Sequence, residues 1–60
     1  MIEGEILKLI DFCYVTLTSV SEDIWDGVDS GGHRYYGHRH NVRFTDDMYV
    51  TNEWTCYNND

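Results

Sequence analysis

Phe12-Cys13-Tyr14-Val15-Thr16-Leu17-Thr18 is the stretch whose reading decides the fold. Cys13, Val15 and Leu17 alternate with Tyr14, Thr16 and Thr18, and a period of two puts each set on its own face of a strand. Immediately upstream, Ile2, Ile6, Leu9, Ile10 and Cys13 also fit a helical stripe. A short helix over residues 2–10 therefore competes with a strand pair running from Glu5 to Val20.

Residue inventory favours the strand pair. The chain has no Ala, Gln or Pro and a single Lys, whereas fourteen β-branched residues and nine aromatics account for twenty-three of its sixty positions. Such side chains lose rotamer freedom in a helix and pack well on a pleated surface.

Working outward, residues 21–32 carry the turn chemistry. Ser21-Glu22-Asp23, Asp26-Gly27 and Asp29-Ser30-Gly31-Gly32 bracket Ile24-Trp25, and both the Asp-Gly and the Gly-Gly pair suit a tight hairpin turn. The following run, residues 33–44, reads as a strand with Gly37 as a bulge. Unbroken alternation places Tyr36, His38, His40, Val42 and Phe44 inward and Tyr35, Arg39, Asn41 and Arg43 outward. Thr45-Asp46-Asp47 forms the next turn. Met48 to Tyr57 makes a final strand with Met48, Val50, Trp54 and Cys56 inward, and Asn58-Asn59-Asp60 frays.

The expected fold is thus mostly β: a small antiparallel meander or open SH3-like barrel of four to five short strands, with an α+β arrangement carrying the 2–10 helix as the alternative. Residues 1–60 form one domain, and a domain this small buries only about 60% of the surface its unfolded chain exposes. No segment approaches the ~20 apolar residues of a membrane span, and Met1-Ile2-Glu3-Gly4-Glu5 does not open like a secretory signal. The expectation is a cytoplasmic protein, in the host cytoplasm if phage-encoded, with reduced cysteines.

Charge directs the functional reading. All three histidines and three of the four fixed cations lie in residues 33–43, and removing those arginines from a net charge of -7 leaves -10 on the remainder. His33, His38 and His40 lack a zinc-site spacing and a nearby cysteine pair, so no metal or cofactor is assigned. Cys13 and Cys56 fall on apolar faces and no motif marks an acid/base pair, so no catalytic residue is assigned and the chain reads as a non-enzyme without a small-molecule substrate.

Two binding readings follow. In the first, a protein with a basic surface, such as a nucleic-acid enzyme or a defence protein, is engaged by Glu22, Asp23, Asp26, Asp29, Asp46, Asp47 and Glu53, with Trp25, Tyr35 and Tyr49 as exposed aromatic anchors. In size, acidity and aromatic content the chain resembles the small inhibitors that bacteriophages encode for host takeover and anti-defence, some of which mimic nucleic acid. The resemblance is one of type and not of motif. In the second, a small barrel contacts nucleic acid through Arg34, Tyr35, Tyr36, Arg39 and Arg43, which combine cations with stacking faces. The anionic remainder opposes that approach at long range.

Overall fold

A computed structural model describes residues 1–57. The expected fraying of residues 58–60 lies outside them. Strands β1 (Ile6–Leu9), β2 (Cys13–Val20), β3 (Ile24–Val28), β4 (Arg34–His38), β5 (Val42–Thr45), β6 (Met48–Thr51) and β7 (Thr55–Cys56) form one sheet in the order β5-β6-β1-β2-β3-β4-β7. A single 3-10 turn, Arg39–Asn41, separates β4 from β5.

The mostly-β expectation holds, and residues 2–10 form no helix. Two details differ. There are seven strands rather than four to five, because the segment expected as one strand from Met48 to Tyr57 is broken at residues 52–54 and its halves pair on opposite sides of the sheet, β6 with β1 and β7 with β4. The sheet is also mixed, since β1 and β6 run parallel while every other pair is antiparallel.

β2 organises the curl. Its first half pairs with β1, Leu9 opposite Cys13 through Ile6 opposite Thr16, and its second half with β3, Thr16 opposite Val28 through Val20 opposite Trp25. A register shift between Leu17 and Ser19 lies within the β2–β3 ladder, the kind of bulge that bends a strand. Leu7, Leu9, Val15, Leu17, Trp25 and Tyr35 meet on the inner face as the core. Phe12, in the β1–β2 turn, stacks on Trp54 with ring centroids 5.6 Å apart and meets the Tyr35 ring edge-on at 6.0 Å. Elements distant in the strand order are thereby brought into contact.

Glycine is used for space as well as for turns. Gly32 has φ +84° and belongs to the β3–β4 turn, as the Gly-Gly signal implied. Asp26-Gly27, however, lies inside β3 and makes no turn. A Cβ on Gly27 would sit 2.9 Å from Val15 Cγ2, so the position is glycine because β2 crosses it closely. Gly37 is no bulge either: it pairs directly with Trp25, and a Cβ there would lie 2.9 Å from the indole Nε1.

The alternation expected for residues 33–44 is out of phase with the structure up to His38 and in phase with it from Val42 onward. Tyr35 and Gly37 are buried, Tyr36 is half-buried and His38 is exposed. The 3-10 turn leaves His40 exposed and resets the phase, so Val42 packs against the core as expected and Phe44 shares its face, although it is 62% exposed because β5 is an edge strand that among the described residues pairs only with β6. In β6 it is Thr51 that is buried, and Cys56 is exposed on the short edge strand β7. Thr51 belongs inside because its hydroxyl donates to the carbonyls of Asn41 and Glu53, both 3.1 Å away, and accepts the Glu53 amide, tying the 3-10 turn to the crossing segment.

Candidate functional site

The carboxylates sort into those the fold uses and those it leaves free. Asp29 is used most. Its Oδ1 accepts the amides of Gly31 and His33, each at 2.9 Å, and its Oδ2 accepts the Tyr35 hydroxyl at 2.9 Å. Burial works to raise the Asp29 carboxyl, but the His33 amide, the Tyr35 hydroxyl, the Gly31 amide and the His33 charge outweigh it and hold the group below the usual carboxylate range. Asp26 accepts the Tyr57 hydroxyl, and Glu53 accepts the side-chain amide of Asn41 at 2.9 Å.

Glu22 and Asp23, in the β2–β3 turn, and Asp46 and Asp47, in the β5–β6 turn, are exposed. Asp46 and Asp47 both have positive φ, 50° and 66°, and form a two-residue hairpin loop between the paired Thr45 and Met48. Aspartate tolerates this left-handed region better than most residues. Glu22 and Asp23 lie at one end of β3 and Asp29 at the other, while Asp46 and Asp47 cap a hairpin at the other side of the sheet. Four of the seven expected acids thus sit in exposed turns, Asp29 in the β3–β4 turn, Asp26 within β3 and Glu53 between β6 and β7.

The aromatic anchors are corrected in part. Trp25 is fully buried and Tyr35 nearly so, because both project from the inner faces of β3 and β4 into the core, and neither can serve as an exposed contact. Tyr49 is half-buried, with Phe44 packed edge-on at 4.9 Å.

The basic set is likewise divided. Arg34 lies over the Tyr57 ring at 4.9 Å, and that ring also meets Tyr36 at 4.6 Å. Asp26 reaches into the same group through the Tyr57 hydroxyl. Arg39 is committed to the fold: its backbone amide donates to the Asp23 carbonyl and its Nη1 to the Ser21 carbonyl at 2.7 Å, locking the 3-10 turn onto the β2–β3 turn. Arg43 is exposed on β5. Among the described residues the only ion pair within 4.0 Å joins the Met1 amino group to Glu5, so no arginine neutralises a carboxylate directly.

Sequence reasoning missed Lys8. It lies thirty-five positions from Arg43, yet the parallel β1–β6 pairing brings both onto one row of the outer face. No local signal marks such a pairing.

Among the described residues no three His, Cys, Asp or Glu side chains converge in a way that could hold a metal ion. The His38 and His40 rings do lie 5.3 Å apart. Burial pushes the Cys13 thiol upward, which leaves it a poor nucleophile at neutral pH. No helix among these residues is long and apolar enough to cross a membrane. No family model, curated protein or solved structure matches the chain.

Proposed function

We propose that this protein is a non-enzymatic binding protein that presents its acidic turns to a basic protein surface, in the manner of a bacteriophage-type inhibitor that stands in for nucleic-acid phosphates. One observation carries the reading. In a chain of net charge -7, Glu22, Asp23, Asp46 and Asp47 are exposed, and among the described residues no lysine or arginine lies within 4.0 Å of any carboxylate.

Unneutralised surface charge of one sign speeds encounter with an oppositely charged partner and makes the complex sensitive to salt. The contact residues narrow to these four acids, because Asp26, Asp29 and Glu53 already accept hydrogen bonds within the fold. Direct nucleic-acid binding through residues 34–43 is weakened in turn: Tyr35 is buried and Arg39 is tied to Ser21.

The test is capture from bacterial lysate on immobilised protein at low and high salt. Recovery of a nucleic-acid enzyme that salt releases, lost when Glu22, Asp23, Asp46 and Asp47 become their amides, supports the reading. Recovery of nucleic acid itself sinks it.

A further inference from the structure

The outer face of the β5-β6-β1-β2 half is a lattice whose rows can be read from the register. Arg43 stands opposite Val50, Val50 beside Lys8, and Lys8 opposite Tyr14. Leu7 and Leu9 point into the core, so Lys8 projects the other way. Neighbouring strands are about 4.8 Å apart, which puts the Lys8 and Arg43 backbones roughly 10 Å from each other, within reach of one small group held between two long side chains. These are half of the chain's four fixed cations, and neither has a carboxylate within 4.0 Å among the described residues.

Two clefts open beside this row, both toward the β1–β2 turn, one over β5 and β6 and the other over β1 and β2. One of about 300 Å³ is lined by Ile10, Asn41, Arg43, Val50, Thr51 and Asn52, combining an apolar floor with a guanidinium and two side-chain amides. The other, also about 300 Å³, includes Lys8, Asp11, Phe12 and Tyr14. Tyr14 is 54% exposed, so its ring is open to a flat ligand, whereas Phe12 is already stacked on Trp54.

From this we infer a binding site for a small phosphate-bearing molecule with a planar ring, of the mononucleotide class, in which Lys8 and Arg43 hold the phosphate and Tyr14 stacks on the ring. Charge-assisted hydrogen bonds to phosphate are the strong kind, and a planar guanidinium suits two phosphate oxygens at once. Asp11 in the second cleft is placed to accept a hydrogen bond from a ring amine.

The surrounding acids decide the size of the ligand. At physiological ionic strength the Debye length is about 8 Å, so a single phosphate in contact with two cations feels them before it feels the rest of the molecule. A longer polyanion would lie across the acidic turns as well. The site thus selects a compact ligand, and it adds a small molecule to a chain expected to have no small-molecule substrate. It is independent of the acidic turns proposed for the partner.

Two-dimensional amide NMR of the full chain, titrated separately with inorganic phosphate, adenosine monophosphate and an eight-residue oligothymidylate, tests the inference. Adenosine monophosphate is expected to shift the amides around Lys8, Tyr14, Arg43 and Val50 in a saturable way, with phosphate weaker. Lys8→Gln and Arg43→Gln should each weaken binding roughly tenfold, Lys8→Arg should retain it, and circular dichroism checks that the variants fold. Absence of saturable shifts, or shifts that survive both Gln variants, overturns the site. Tighter binding of the oligothymidylate than of the mononucleotide overturns the selection for a compact ligand.

Discussion

The Tyr35 hydroxyl donates to Oδ2 of Asp29 at 2.9 Å, so one carboxylate both closes the β3–β4 turn and holds a core ring in place. Two opposite pH limbs follow. Asp29 is held below its ordinary value, so its contribution is present above the unfolded carboxylate pKa of about 3.9 and is lost as pH falls through the lower folded value. Burial, with the hydrogen bond to Asp29, raises the Tyr35 phenol, and the Asp26 hydrogen bond raises Tyr57. Their contributions are complete below the ordinary phenol value of about 10 and are lost as pH rises beyond it. Melting temperature against pH should fall at both extremes. Tyr35→Phe should flatten the alkaline limb, and Asp29→Asn the acid one.

Close packing of Gly37 on the Trp25 ring gives a sharper test. An alanine Cβ would lie 2.9 to 3.0 Å from three atoms of a fully buried indole. Gly37→Ala should cost about 1–3 kcal/mol, the usual penalty of overpacking, measured by urea denaturation. A neutral or stabilising result would mean that the indole can shift.

The core is thin enough for one cavity to matter. Leu7 is fully buried on β1 beneath the sheet's inner face. Leu7→Ala should cost about 2–5 kcal/mol, against a total of about 3–9 kcal/mol for a domain of this size. Substantial unfolding at 37 °C, seen by circular dichroism, is the expected outcome.

Asp46 and Asp47 both carry left-handed backbone in the β5–β6 loop. Asp47→Gly should therefore stabilise the hairpin, by up to about 1 kcal/mol, since glycine reaches this region without a Cβ penalty. Under the proposed function the same change should weaken partner binding, because it removes an exposed carboxylate. A rise in melting temperature paired with weaker capture is the signature to look for.

Arg39 contributes by a neutral route. Its guanidinium donates to the Ser21 carbonyl and, among the described residues, faces no carboxylate within 4.0 Å. Arg39→Gln should lower stability by no more than about 1 kcal/mol, and the loss should be nearly the same at low and high salt. A loss confined to low salt would instead reveal diffuse neutralisation of the acidic shell.

How far the sequence shows this architecture depends on whether a signal is local. The alternation of Cys13, Val15 and Leu17 gives β2 its inner face, and Gly31-Gly32 marks a genuine turn. Asp26-Gly27 misleads because glycine there answers a close approach of Val15, which lies on another strand. Residues 33–38 mislead because the inner face fixed by Val42 and Phe44 does not carry back unbroken across the three-residue 3-10 turn. Tyr35 and Trp25 look like surface anchors until the β3–β4 pairing puts both on the inner face. The acidic turns were legible as turns; the row that joins Lys8 to Arg43 depends on a pairing that no spacing announces.

The parallel partnership of β1 and β6 also sets an order of assembly. β1 finds β2 across a three-residue loop, but its other neighbour stands forty-two positions away in the Leu7 to Tyr49 pairing. Local hairpins should form early, and the chain must then bear a large loop-closure entropy before this last contact repays it. Until Met48 to Thr51 has docked, β1 presents an open edge with Leu7 and Leu9 in it, the kind of exposed strand that recruits other chains. The slowest step of folding and the greatest hazard of self-association thus fall at the same seam.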